Sequence, residues 1–110
     1  MKIYDAPPLA GGAVAPSGDR PATTLVHDSS DARVVLFRLE GGQAVPVHTS
    51  ASTVLLTIIS GTGTVIGAEG ECNVKAGDIV AYAENEPHGM RAGDGQFVIA
   101  ASIAPRPAPR

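Results

Sequence analysis

Residues Val45–Gly63 read VPVHTSASTVLLTIISGTG, and the apolar run at their centre decides the fold. From Val54 to Ile59, apolar side chains stand at Val54, Leu56 and Ile58 and again at Leu55 and Ile59. A strand covered on one face alternates apolar with polar residues, so a run apolar on both faces predicts a strand that is dry on both sides. One face should line an interior. The other needs a cover, supplied by the N-terminal arm or by a second subunit packed sheet to sheet. SGTG closes the run with two glycines suited to a hairpin turn; no Lys-Ser/Thr ending or following helix supports a phosphate loop there.

Outward from this strand the pattern repeats. In RVVLFRLE, Val35, Phe37 and Leu39 alternate with Leu36, Arg38 and Glu40, giving one apolar and one mixed face. Further strands are predicted at Ala44–His48, Thr53–Ser60, Gly63–Gly67, Glu71–Val74, Ile79–Ala83, Pro87–Ala92 and Gln96–Ile103. The 13 glycines and 9 prolines cut the chain at short intervals, which leaves little room for an interior helix of three turns. An all-β sandwich or small barrel of antiparallel strands is expected, with no internal repeat.

A chain of 110 residues fits one domain, able to bury about two-thirds of the surface its unfolded form exposes. Three parts are expected: an arm over residues 1–22 with one short strand around Lys2 to Tyr4, a barrel over 23–103, and an extended, solvated, proline-rich tail over 104–110. Cys72 has no partner in the chain, which excludes a disulfide-stapled scaffold. The opening MKIYDAPPLAGG lacks an apolar leader core, and no segment approaches the ~18 apolar residues of a membrane span, so a cytoplasmic protein is expected. Net charge is -3 and the eight basic residues stand singly, which argues against nucleic acid as a partner.

GQAVPVH, Ser50 and the spacing from His48 to Gly61 resemble the first motif of the small single-domain cupins, a glycine, five residues, His-x-His, a Glu and a closing glycine. GDIVAYAENEPHGM is similar to the second, in which Gly-Asp, an apolar strand and a turn lead to Pro-His. The resemblance covers about residues 32–103 and implies an antiparallel double-stranded β-helix, or jelly roll, commonly a homodimer. Metal-holding cupins offer three histidines and a carboxylate or Gln. Here His48 and His88 stand at ligand positions, while Ser50 replaces one His and Val54 or Leu55 the Glu. The Pro-x-Gly turn is Ala83-Glu84-Asn85, where Asn can adopt the left-handed conformation, and Ala92 stands where an Asn is usual.

Alternation then assigns a pocket. If His48 points inward, Pro46 and Ser50 do so too, and Met90 and Ala92 follow His88. Leu55 and Thr57 form the wall, or Val54 and Leu56 if a bulge shifts the register, and Tyr82 adds a phenol near the rim or packs with its hydroxyl in water. The ligand-binding set is therefore His48, Ser50, Leu55, Thr57, Tyr82, His88 and Met90. A divalent transition metal (zinc, nickel, iron, manganese or copper) would be held weakly by His48 and His88 alone, since catalytic sites ordinarily use three protein ligands. A third ligand would have to come from His27, Glu86 or Cys72, none of which stands at a ligand position; His27 reads first as a solvated strand-end residue, and Cys72 first as a small buried filler and second as a reactive thiol. Glu84, Glu86 and Asp94 read as solvated turn residues, and Asp78 as a structural acceptor of backbone amides. No third group orients a Ser50–His48 relay.

Two function classes stay open. The first is a binding protein whose apolar pocket and paired histidines hold a small organic ligand. The second is a metal-dependent oxygenase, isomerase or lyase with a reduced two-histidine site.

Overall fold

The computed structural model describes residues 1–15 and 20–107. Among these residues a short helix α1 (Ala6–Gly12) precedes nine strands: β1 (Ala22–Asp28), β2 (Arg33–Leu39), β3 (Ala44–His48), β4 (Thr53–Ser60), β5 (Thr62–Gly67), β6 (Gly70–Lys75), β7 (Ile79–Tyr82), β8 (His88–Ala92) and β9 (Phe97–Ala104). Leu56 sits opposite Ala101 on one side and Val80 on the other, so the run apolar on both faces is an internal strand. Two antiparallel sheets result, β1-β2-β9-β4-β7 and β3-β8-β5-β6. This is the jelly-roll sandwich that the family resemblance implies.

Between the sheets lies the core. Phe97, Leu39, Ile58 and Ile99 are fully buried, joined by Val54, Leu56, Val65, Tyr82 and Met90. At the β4–β5 reversal Gly61 has φ +80, and a Cβ there would strike the backbone of Gln96, so only glycine fits both demands. The AGD turn closes as expected: Asp78 Oδ2 accepts from the Lys75 amide at 2.9 Å.

The outer face of the larger sheet shows how the second side of β4 is covered. Helix α1 lays Ala10 against Leu36 and Val98, with Leu9, Val26 and Ile59 around them. The arm therefore carries a helix, and Lys2 to Tyr4 form no strand. Pro7 and Pro8 read as breakers but fall in the helix's first turn, where an amide has no intrahelical acceptor to lose. Arg38 reaches from β2 and donates to the carbonyls of Ala10 and Gly11, both at 2.8 Å, placing a cation on the helix C-terminal end. Cover is partial: Leu55 and Ile79, on the same outer face toward the β7 edge, remain 40% and 69% exposed.

The tail also departs from expectation. Ser52 Oγ donates to the Pro105 carbonyl at 2.6 Å, the Arg106 amide donates to the Asp31 carbonyl at 3.2 Å, and the Arg106 guanidinium pairs with Asp28. Pro105 to Pro107 are fastened to the barrel, although Pro105 stays exposed. The rest of the expected tail, 108–110, lies outside the described residues. No helix among those described is long and apolar enough to cross a membrane.

Candidate functional site

Strand β3 sets the geometry of the site by carrying one residue too many. Val45 pairs with Met90 and His48 with His88, so three steps along β3 match two along β8. The register shift reverses the alternation between Val45 and His48 and turns both to the side occupied by Met90 and His88. Pro46, expected to share that face, is displaced from it, and Val45 lines the cavity in its place. At Gly89, between the two β8 pocket residues, the shifted strand leaves little room: a Cβ there would stand 3.1 Å from the Val45 carbonyl and from Val47.

The two histidines meet as cross-strand partners, with ring centroids 4.2 Å apart and planes at 62°. His88 is buried at 7% exposure, whereas His48 is exposed at the mouth. Each ring is held by its own backbone two residues earlier. His48 Nδ1 lies 2.9 Å from the Pro46 carbonyl, and His88 Nδ1 lies 2.9 Å from the Glu86 carbonyl. A carbonyl only accepts, so Nδ1 carries the hydrogen in both rings and the lone pair of the neutral imidazole falls to Nε2.

The loops bearing them are tied together. Asn85 takes the left-handed conformation at φ 63, and its amide donates to the Ser50 carbonyl at 2.7 Å. Glu86 closes the same turn by accepting from the Ala83 amide at 3.1 Å, so its carboxylate is a turn cap as well as a solvated group. Ser50 Oγ accepts from the Ser52 amide at 3.1 Å, which leaves its hydroxyl hydrogen free to donate.

These residues edge a cavity of about 400 Å³. Its walls are mainly apolar: Phe37, Val45, Val54, Leu56, Met90, Ala101, Ile103 and Pro107. Of the predicted set, His48, Ser50, His88 and Met90 line it. Leu55 and Thr57 do not; they share the outer face of β4, and Val54 and Leu56 form the wall. Tyr82 is buried behind His88, ring centroids 5.1 Å apart, and its hydroxyl donates to the Ile66 carbonyl at 2.9 Å instead of meeting water or the cavity. Burial, then the charge of Glu86, pushes its phenol above the usual tyrosine range. Phe37, Ala101 and Ile103 were missed because their membership follows from long-range strand pairing; alternation within β2 does place Phe37 on the inner face.

Other chemistry-bearing residues stand elsewhere. His27 is exposed on β1, and Cys72 is exposed on the edge strand β6 and is no buried filler, because the chain there has solvent on its outer side. Among the described residues no cluster of three His, Cys, Asp or Glu side chains could hold a metal ion. The donors at the cavity are two imidazoles without a carboxylate, and a tetrahedral ion held at ~2.1 Å would space their centroids by roughly 5 Å. At 4.2 Å the rings pack edge to face. This donor set does not fit a firmly held metal.

A family model described as the cupin domain matches residues 35–101. Three solved structures are similar over nearly the whole chain. The TT1209 protein of Thermus thermophilus is 27% identical with a TM-score of 0.87, covering 97% of this chain and 100% of its own. An uncharacterised conserved protein with a double-stranded β-helix domain from Klebsiella pneumoniae is 26% identical with a TM-score of 0.82, covering 96% and 91%. An RmlC-like cupin protein from Desulfovibrio desulfuricans is 26% identical with a TM-score of 0.81, covering 96% and 97%. No curated protein matches the chain.

Proposed function

The chain belongs to the cupin domain family, and from that premise we propose that it binds a small, mainly apolar organic molecule bearing one hydroxyl or carboxyl group. The observation that carries this reading is the pair of Nδ1–carbonyl contacts, which presents two Nε2 acceptors beside an apolar cavity. An alcohol, phenol or enol donates to such an acceptor directly. A carboxylic acid transfers its proton to an imidazole and is then held by a charge-assisted bond. The Ser50 hydroxyl supplies the complementary donor. A volume of about 400 Å³ lies in the ordinary range for small-ligand sites. The protein acts as a homodimer in this reading, the second copy covering Leu55 and Ile79.

The test is a melting-temperature comparison of 2-naphthol, 2-naphthoic acid and naphthalene. Selective binding to the native state raises Tm by mass action, so the two headed compounds should raise it more than naphthalene at equal concentration. The margin should vanish in His88→Ala. Equal shifts for all three would remove the histidines from recognition. Zinc or nickel serves as the competing arm: a chelator-reversible rise, lost in both His48→Ala and His88→Ala, would replace this reading with the metal-dependent one.

A further inference from the structure

Pro107 lines the same cavity as the paired histidines, although it belongs to the tail and to no strand. Three fastenings bring it there, and they differ in kind. The first is internal: Ser52 is 4% exposed, and its hydroxyl holds the Pro105 carbonyl at 2.6 Å. The second is one backbone bond, from the Arg106 amide to the Asp31 carbonyl at 3.2 Å. The third is a two-point ion pair in which Arg106 Nε meets Asp28 Oδ1 and Arg106 Nη2 meets Asp28 Oδ2 at 3.2 Å, with Arg33 Nε at 3.4 Å on the same carboxylate. Solvent reaches that pair, so salt and acid weaken it, whereas they leave the Ser52 bond alone.

The other apolar walls have no such freedom. Val54 and Leu56 on β4 and Ala101 and Ile103 on β9 are register partners in a continuous ladder, and moving them means breaking the sheet. Pro107 has no ladder partner and no amide hydrogen to give one. Room for a larger occupant is therefore gained most easily on the tail side.

We propose that Pro105–Pro107 form a detachable wall of the cavity, anchored at Ser52 and latched by Arg106 on Asp28, which limits the length of ligand admitted. The length limit rests on the ligand-binding reading above; the detachable wall does not.

Two measurements separate these parts. The first uses Cys72→Ser protein with Ala101→Cys as a reporter inside the cavity, labelled by dithiobis(nitrobenzoic acid). Arg106→Ala and Asp28→Asn should each accelerate labelling by about tenfold through local opening. The double variant should be no faster than either single, because both remove one latch. Val98→Cys, buried beneath α1, is the control reporter; its unchanged rate distinguishes wall opening from unfolding. The second is calorimetric titration with 4-alkylphenols from ethyl to octyl. The parent should bind the short members only, and Arg106→Ala should extend binding to longer chains. Unaccelerated labelling overturns the wall, whatever binds. Accelerated labelling with an unmoved chain-length limit keeps the wall and overturns its role in selection. Accelerated labelling with no alkylphenol bound by any variant keeps the wall and overturns the ligand reading.

Discussion

His48 and His88 are register partners with ring centroids 4.2 Å apart, yet one is exposed and the other buried. Their substitutions should therefore differ in stability. His88→Ala removes a buried ring and leaves the Glu86 carbonyl without its donor, a loss of about 1–3 kcal/mol. His48→Ala should stay within about 0.5 kcal/mol, as for exposed sites generally. Urea unfolding of the two variants checks the order; equal losses would place both rings in the core.

Leu56 is 4% exposed and packs in the main core, so Leu56→Ala should cost about 2–5 kcal/mol. Phe37 is only partly buried against the same core, and Phe37→Ala should fall at or below the lower end of that range. Thermal unfolding with a fitted enthalpy compares them. A larger loss at Phe37 would mean that the cavity is filled in solution.

Leu55 and Ile79 are apolar, exposed and on one outer face. A dimer burying them should give a sedimenting species of twice 11.1 kDa at tens of micromolar. Leu55→Asp with Ile79→Lys should return it to monomer. A monomer in the parent protein at that concentration removes the sheet-to-sheet dimer.

Arg106, by its hydrogen bond and then with Arg33, holds the Asp28 carboxyl below its ordinary value of 3.8. A depressed carboxyl contributes stability that is present above pH 3.8 and lost as pH falls through the lower native value. Resonances of Pro105–Pro107 should shift below that pH, and the shift should be absent in Asp28→Asn. A titration beginning near pH 6 would assign the change to another group.

Most of the fold was legible because its signals are local. Ala44–His48 and Thr53–Ser60 are the strands the sequence predicts, bounded by turn residues and carried by period-two alternation. His48 and His88 were legible as a pair through two motifs. The cavity wall was not, because parity fails across one register shift: the same alternation that places Met90 beside His88 puts Pro46, wrongly, beside His48. Nor was the tail. Nothing near Arg106 in the chain announces Asp28, 78 residues away, and a proline-rich end has the composition of a solvated one. Helix α1 was hidden by its own prolines, whose effect depends on which turn they occupy.

The extra residue in β3 also acts as a phase in the reading of the strand. Deleting Val47 would restore strict two-residue alternation between Val45 and the histidine and leave both on the cavity side, while β8 and its partners stayed in place. Straightening β3 with all its residues kept would do the reverse, setting His48 an odd number of steps from Val45 and turning its ring away from the cavity. Chains of this type that differ by one residue between the first-motif glycine and histidine can thus present the same pocket, provided the bulge is gained or lost with that residue.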